Sequence, residues 1–185
     1  MKVMGIDPGV AKTGYAVVEG SSGRLVARAV GVVRTPPGLA QEQRLLRLCR
    51  ELRAVLAEHR PDAAAIERVF FNANVRTAMS VGQGAGVALL AAAERAVPVA
   101  CYTPTEVKMS VVGVGSADKN QIQQMVAALL RLPAPPSPAD AADACALAIC
   151  HLHRGGLSKA VGDPAAGRRA ARRLAEAVRA QGGGR

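Results

Sequence analysis

Residues 2–9, Lys-Val-Met-Gly-Ile-Asp-Pro-Gly, open the chain with a short apolar run that ends in an acid and a Pro-Gly turn. Such a run predicts a buried strand with Asp7 at its carboxyl end. Two further strand-like runs follow at 13–18 and 24–33, and the Gly-Ser-Ser-Gly segment at 20–23 between them is typical of a hairpin. These three strands in succession predict the start of a sheet.

The rest of the chain alternates between helical and strand-like segments. Leu45, Leu48 and Leu52 recur at helical spacing, so a helix is predicted over about 39–60. The other predicted elements are strands at 63–67 and 98–102 and helices at about 75–96, 104–110, 117–131 and 138–153. Hairpin strands followed by alternating helix and strand indicate an α/β fold with both hairpin and crossover connections.

The charge of the chain is strongly positive. Its 185 residues carry 24 Lys and Arg against 14 Asp and Glu, a formal charge of +10, which favours a polyanionic partner such as nucleic acid. Residues 154–185 alone contain eight basic and two acidic side chains. We expect one domain over 1–153 and a basic, flexible tail over 154–185. The tail is either a DNA-binding or partner-binding arm or a solubilising segment, and charge alone does not decide between them.

Composition also excludes several classes of protein. No apolar run reaches the ~18 residues that a membrane span needs, and the acid at position 7 interrupts any signal-peptide core. The four cysteines form no Cys-x-x-Cys pair. We therefore expect a reduced, cytoplasmic protein without a membrane segment.

Four carboxylates stand out by their positions, and two of them, Glu67 and Asp143, would be costly as isolated charges. Asp7 and Glu67 end apolar strands, and ligand sites in open α/β sheets lie beyond the carboxyl ends of strands. Asp140 and Asp143 are three residues apart on a predicted helix, hence on one face. Taken singly, Asp7 could be turn punctuation and Asp140 a helix N-terminal acid. Together they favour a Mg²⁺ site, in which two ions would activate a water and stabilise the leaving oxygen of a phosphodiester.

Two pairs of residues near these acids suit nucleic acid. Phe70 and Phe71 follow Glu67, and an outward ring there would stack on a base or wedge between bases. The alternative is that both rings are core. Lys108 and Lys119 bracket a Gly-rich loop, and a phosphate would offset the unfavourable charge of Lys119 at a helix start. The alternative is two solvated lysines.

Two other motifs are weak. The segment 82–86, Gly-Gln-Gly-Ala-Gly, resembles a phosphate loop, but it has no Walker lysine and no preceding strand. Close packing of helices is the better explanation of its small residues. His151 and His153 point in nearly opposite directions on a helix, so a shared metal ion is not expected.

Taken together, the motifs resemble those of the RuvC family of bacterial Holliday-junction resolvases. The resemblance is carried by Gly-Ile-Asp-Pro-Gly at 5–9 with Thr-Gly-Tyr at 13–15, Ala-Ile-Glu-Arg-Val-Phe at 65–70, the segment 108–119 and Ala-Asp-Ala-Ala-Asp-Ala at 139–144. These motifs occur in the family's order and cover about residues 1–153. The second aromatic, Phe71, departs from the family pattern and leaves open which ring contacts DNA.

The resemblance implies a ribonuclease-H-like fold with a mixed five-stranded sheet flanked by helices, and Mg²⁺-dependent cleavage of four-way DNA junctions, with Mn²⁺ as a substitute. It implies these residue roles: catalytic, metal-binding carboxylates at Asp7, Glu67, Asp140 and Asp143, and DNA-contacting side chains at Phe70 or Phe71, Lys108 and Lys119. The family nicks two opposing strands symmetrically and leaves ligatable ends.

The resemblance also implies partners. These are a second copy of the chain and the RuvA–RuvB branch-migration machinery, and the small-residue helix near 82–96 is the candidate for the dimer contact. An actin-like or sugar-kinase-like ATPase, which also begins with Asp-x-Gly, would need a longer chain. A junction-binding protein without catalysis is the alternative function.

Overall fold

The structure is a computed structural model that describes residues 1–68 and 75–161. In this part of the chain the elements are β1 (Lys2–Asp7), β2 (Lys12–Ser21), β3 (Arg24–Arg34), α1 (Gln41–His59), β4 (Ala63–Glu67), α2 (Val75–Ala93), β5 (Val99–Tyr102), α3 (Pro104–Val112), α4 (Lys119–Leu130) and α5 (Ala139–Val161). The elements predicted from the sequence are present, with boundaries within a few residues apart from the end of the last helix.

The strands form one five-stranded sheet in the order β3-β2-β1-β4-β5. β1 pairs antiparallel with β2, and β2 with β3, as the predicted hairpin requires. β4 pairs parallel with β1, and β5 parallel with β4. Parallel neighbours need a crossover connection, which α1 and α2 supply. The predicted mixed α/β sheet with hairpin and crossover connections is therefore confirmed.

The alternation of side chains along β1 divides the apolar core into two layers. Val3 is buried with residues of α3, α4 and α5, whereas Met4 and Ile6 are buried with residues of α1 and α2 on the other face. Successive side chains of a strand point to opposite faces. Asp7 therefore shares the face of Val3, which is the face that α5 covers.

Helix α5 approaches the sheet closely because glycines of the strands face it. A Cβ atom added at Gly14 would overlap the carbonyl oxygen of Asp140, and one added at Gly5 would overlap that of Ala144. On the helix side the facing residues are small, and Ala144 and Ala148 are fully buried. Backbone-to-backbone packing of this kind fixes the distance between the α5 acids and the ends of the strands.

The last helix extends past the boundary that the composition predicts. The sequence predicts its end at about 153, before the pair Gly155-Gly156, but α5 continues to Val161. Arg154 explains part of this extension, because its guanidinium binds Glu106 at 2.7 Å and lies over the ring of Tyr102, 5.6 Å from its centroid. Residues 162–185, which include most of the predicted tail, lie outside the described residues. Within the described residues, no helix is both long and apolar enough to cross a membrane.

Replacing Gly14 with Ala should destabilise the fold by about 2–3 kcal/mol, because the added methyl group overlaps the backbone of α5 and cannot be relieved by a side-chain rotation. Gly38→Ala is the matched control, since a Cβ there meets open space. Urea denaturation of both variants measures the difference. Equal midpoints for the two variants would show that α5 does not rest on Gly14.

Candidate active site

Asp7 and Glu67 lie side by side at the carboxyl ends of two parallel strands. Asp7 is the last residue of β1 and Glu67 the last of β4, and the preceding residues Ile6 and Ile66 are register partners. Ala65 is buried in the same layer as α5, so the alternation of β4 points Glu67 to the α5 face as well. The two carboxylates predicted from apolar runs thus share one edge and one face of the sheet.

Asp143 closes the cluster from helix α5. It lines a cleft of about 240 Å³ together with Asp7 and Glu67, and apolar side chains such as Ile122 and Leu147 form part of its wall. Asp140 lies one turn earlier on α5 and is half-buried. It is outside the lining of the cleft, but its charge acts on Asp7 and raises the pKa of that carboxyl. The structure therefore brings three of the four predicted acids into one cleft and leaves the fourth beside it.

Lys108 and Lys119 line the same cleft. Lys119 is the first residue of α4, and its Nζ donates a hydrogen bond to Asp143 Oδ2 at 2.7 Å. A capping box at Asp118 fixes the start of α4 and therefore the position of this lysine. Lys108 lies on α3, whose start is fixed in the same way at Thr103. The expected juxtaposition of two lysines with the acids is present in the structure.

Burial and mutual repulsion disfavour the charged forms of Asp7 and Glu67. Burial, followed by the charges of Glu67, Asp143 and Asp140, raises the pKa of Asp7 to about 7. Burial and the charge of Asp143 also raise the pKa of Glu67. The hydrogen bond to Asp143 raises the pKa of Lys119. Negative charge is thus concentrated at one point of a basic chain, and one ammonium group partly balances it.

Two contacts that the sequence did not reveal hold the loop after Asp7. Thr13 is fully buried, and its Oγ1 donates to the carbonyl of Gly9 at 2.6 Å and accepts from the Gly9 N–H at 3.3 Å. Helix α2 supports the same loop, since a Cβ at Gly84 would lie 3.0 Å from the backbone nitrogen of Gly9. A buried threonine four residues after an Asp-x-Gly turn is the signal that could have identified the first contact.

The donor set suits a hard divalent cation, although the carboxylates are not arranged as a finished centre. Carboxylate oxygens are the ligands that Mg²⁺ prefers. Burial, and after it the charges of neighbouring acids, raise the pKa of Asp7, and a bound cation would stabilise its charged form. Across residues 1–68 and 75–161, no three carboxylate, imidazole or thiolate side chains already converge as a ligand group. Asp143 is instead turned to the ammonium of Lys119.

The aromatic and histidine predictions have different outcomes. Phe70 and Phe71 lie outside the described residues, so the structure does not test which ring is exposed. His151 and His153 contact different groups, as expected. His151 Nδ1 is hydrogen bonded to the Tyr102 hydroxyl at 2.8 Å, and His153 Nδ1 donates to the carbonyl of Ser110 at 3.0 Å.

The fold and the cleft together define the class of the protein. The sheet is mixed and carries acids at the ends of two adjacent parallel strands. A third acid lies on the helix packed across them, and two lysines line the same cleft. This is the architecture of a ribonuclease-H-like α/β protein. The lysines suit an anionic substrate and the acids suit a cation, a combination that suits metal-assisted hydrolysis of a phosphodiester.

Comparison with known proteins agrees with this class and narrows it. The family model for crossover junction endodeoxyribonuclease RuvC matches residues 3–151. The crossover junction endodeoxyribonuclease RuvC of Salinispora arenicola is 57% identical over 157 residues, which are 84% of this chain and 90% of that protein. The protein of the same name from Syntrophomonas wolfei is 50% identical over 158 residues, 85% of this chain and 92% of that one.

Among solved structures, Thermus thermophilus RuvC in complex with a Holliday junction substrate superposes with a TM-score of 0.82 at 35% identity. The superposition covers 85% of this chain and 96% of that one. The chain therefore belongs to the RuvC family of crossover junction endodeoxyribonucleases.

Asp7→Asn should stabilise the metal-free protein at pH 8. Since the pKa of Asp7 is raised from 3.8 to about 7, the folded state holds its proton more tightly than the unfolded state. The stability that this carboxyl contributes is complete below pH 4 and lost as the pH rises through 7. A neutral amide avoids the loss, which is about 1–3 kcal/mol after allowance for solvent screening.

Thermal unfolding at pH 4.5 and pH 8 measures the effect, with an excess of chelator present. The exposed acid Glu51 on α1 provides the control variant Glu51→Gln, which should unfold like the wild type at both pH values. If the Tm of Asp7→Asn exceeds that of the wild type by the same amount at both pH values, the advantage does not come from the raised pKa of Asp7.

Proposed function

We propose that this RuvC-family endonuclease resolves Holliday junctions by Mg²⁺-dependent hydrolysis of phosphodiester bonds, nicking two opposing strands symmetrically and leaving ligatable ends. The observation that carries the proposal is the cleft in which Asp7, Glu67 and Asp143 face Lys108 and Lys119. Acids and lysines reach this cleft from two strands and three helices. Such convergence from distant parts of the chain favours a common chemical role over five independent structural roles.

Asp7, Glu67 and Asp143 would hold the metal, with Asp140 one turn away on α5 as a further carboxylate. Bound Mg²⁺, for which Mn²⁺ would substitute, supplies Lewis acidity and lowers the pKa of a coordinated water; two ions per site would serve the attacking and the leaving oxygen. The acids' part is to remain ionised and to be held in place. Burial and the neighbouring acids raise the pKa of Asp7 to about 7, so added positive charge would favour its ionised form at neutral pH.

The lysines would bind the scissile phosphate. Lys119 has a side chain that is 59% exposed, so it can turn from Asp143 toward a phosphate oxygen without rebuilding α4. Lys108 contacts the cleft from the opposite helix, α3. A phosphate between these two ammonium groups would be held against the acids, which places the bond to be broken where a nucleophile is generated.

Homodimer formation would fit the exposed face of α2. Met79 is 62% exposed and Leu90 54% exposed, and a Cβ at Gly82 or Gly86 meets open space. Exposed apolar residues beside small ones on one helix suit close contact with another helix. A two-fold dimer would present the same site to the two equivalent strands of a four-way junction.

Three further expectations accompany the proposed function. The ring of Phe70 or Phe71 would contact the junction, the dimer would cooperate with the RuvA–RuvB branch-migration machinery, and the protein would act in the cytoplasm. Their support is the order and spacing of the family motifs, now joined by the family match over residues 3–151. The four cysteines are free thiols in the structure, which agrees with a reducing compartment.

Asp7→Asn should bind a synthetic four-way junction and fail to cut it. The amide keeps the size of the side chain but removes a metal-binding charge, so cleavage should fall by more than the roughly 10–100-fold that loss of an outer-shell partner costs. Gel-shift and nicking assays with the junction and a plain duplex measure the two activities, and Glu51→Gln should cut like the wild type. A wild-type protein that binds the junction but never nicks it with Mg²⁺ or Mn²⁺ would be a non-catalytic binding protein, and the proposal would fail.

Mg²⁺ should raise the Tm of the wild-type protein more than that of Asp7→Asn. A cation that binds only the folded state contributes about 1.4 kcal/mol at ten times its Kd, or roughly 3–6 °C for a chain of this size. Scanning fluorimetry in MgCl₂, with NaCl of equal ionic strength as the control, measures the shift. Equal Mg²⁺-dependent shifts in both proteins would place the ion elsewhere.

A further inference from the structure

Two basic residues face each other at the open end of the β2–β3 hairpin. Lys12 is the first residue of β2 and Arg34 the last of β3, and their Cα atoms are register partners. Both are exposed. Like charges directly opposite on antiparallel strands repel each other. We call Lys12 and Arg34 the basic rim.

In the described part of the chain, no ion pair involves Lys12 or Arg34. The ion pairs found there involve other residues, and Arg28, on the same strand as Arg34, bonds to Glu19 at 2.7 Å. Any repulsion between the two charges is therefore not offset by an acid of the described residues within ion-pairing distance. An uncompensated pair of this kind at a functional edge is better explained by an external anion than by folding.

The basic rim lies at the same edge of the sheet as the acidic cleft. Asp7 is the register partner of Gly14, so Lys12 lies two residues further along β2, and Arg34 lies on the strand beyond. From the spacing of strands and residues, the Cα atoms of Lys12 and Arg34 are roughly 8 Å and 12 Å from that of Asp7. A separation of this size is spanned by about one or two nucleotides of a DNA backbone, so a strand with a phosphate in the cleft can place a neighbouring phosphate on the rim.

The side chains also share a face. Ala16 and Val18 of β2 are buried on the α5 side, so alternation places Lys12 on that side. Val33 is buried in the opposite layer, which places Arg34 on the α5 side as well. Asp7 points to the same side. A single DNA strand crossing this edge can therefore contact the basic rim and the cleft together.

The rim is rigidly connected to the loop that follows Asp7. Thr35, next to Arg34, is buried, and its Oγ1 donates to the carbonyl of Val10 at 2.6 Å. The same hydroxyl accepts a hydrogen bond from Arg44 Nε at 2.9 Å, and the Thr35 N–H donates to the carbonyl of Ala11 at 3.2 Å. The backbone at Arg34 is thus fixed in position relative to the loop after Asp7.

We propose that the basic rim binds a backbone phosphate of the DNA strand being cut, about one or two nucleotides from the scissile phosphate, and so sets where that strand lies over the acids. The proposal rests on the proposed function and extends it from the cleft to the neighbouring strands of the sheet. Lys108 and Lys119 come from α3 and α4, whereas the rim comes from β2 and β3, so the cut strand would be held on both sides of the acids. These interactions fix position and are independent of base sequence.

The double variant Lys12→Gln/Arg34→Gln tests the proposal. Its junction affinity should fall about 5–10-fold near 0.1 M salt, and the slope of log K against log salt should become shallower by about 1 for each phosphate that the variant no longer neutralises. The matched control is Arg24→Gln/Arg60→Gln, which removes two exposed charges at the opposite end of the sheet. The control should keep the wild-type slope and nicking rate.

Two further measurements separate binding from folding. Relief of the repulsion means that the rim variant should unfold at a temperature no lower than the wild type, and the charge-preserving exchange Lys12→Arg/Arg34→Lys should restore the wild-type slope. A slope equal to that of the control would overturn the proposal, and a fall in Tm with an unchanged slope would give the rim a structural role instead. Failure of the wild type to nick junctions would instead overturn the proposed function.

Discussion

The close packing of α5 on β1 and β2 is the constraint on which the site depends. Gly5 and Gly14 lack the Cβ atoms that would push the helix away, and the small face of α5 meets them. Gly14 is also the register partner of Asp7. Gly14, which allows the backbone of Asp140 to approach, therefore lies beside Asp7. This one packing contact sets the distance between the carboxylates of β1 and those of α5.

That packing has an electrostatic consequence. It brings acids together in a partly desolvated cleft, where the pKa of Asp7 rises to about 7 and that of Glu67 rises with it. The apolar contacts of Ala144 and Ala148 are favourable, and the charges that they bring together are not. The favourable packing of the core thus holds the carboxylates in a cluster that is electrostatically unfavourable unless a positive charge is bound beside it. This is a common property of active sites.

Local sequence patterns sufficed for the strands, most helix boundaries and the acids at strand ends. Apolar runs and turn residues mark Asp7 and Glu67 because those signals lie within a few residues of each. Contacts between distant elements were not predictable in this way. Three features of the site depend on packing across the fold. They are the hydrogen bond of Lys119 to Asp143, the position of Asp140 outside the cleft lining and the hydrogen bonds of Thr13 to Gly9. The end predicted for the last helix was wrong because the Gly155-Gly156 pair is typical of a linker. In the structure Arg154 binds Glu106 of α3, and α5 continues past the two glycines.

The structure shows where many of the charged residues behind the net charge of +10 lie. Acids and bases are not mixed evenly at this edge of the sheet. Carboxylates occupy the ends of β1 and β4, while Lys12 and Arg34 occupy the adjoining ends of β2 and β3. A polyanion approaching a uniformly basic surface would have no preferred register. A polyanion approaching this edge is attracted at the flanks and repelled at the centre unless a cation neutralises the carboxylates. Under the proposed function, the charge pattern would couple placement of a DNA strand to metal binding, because a strand crosses the sheet edge more favourably when the carboxylates beneath it are neutralised.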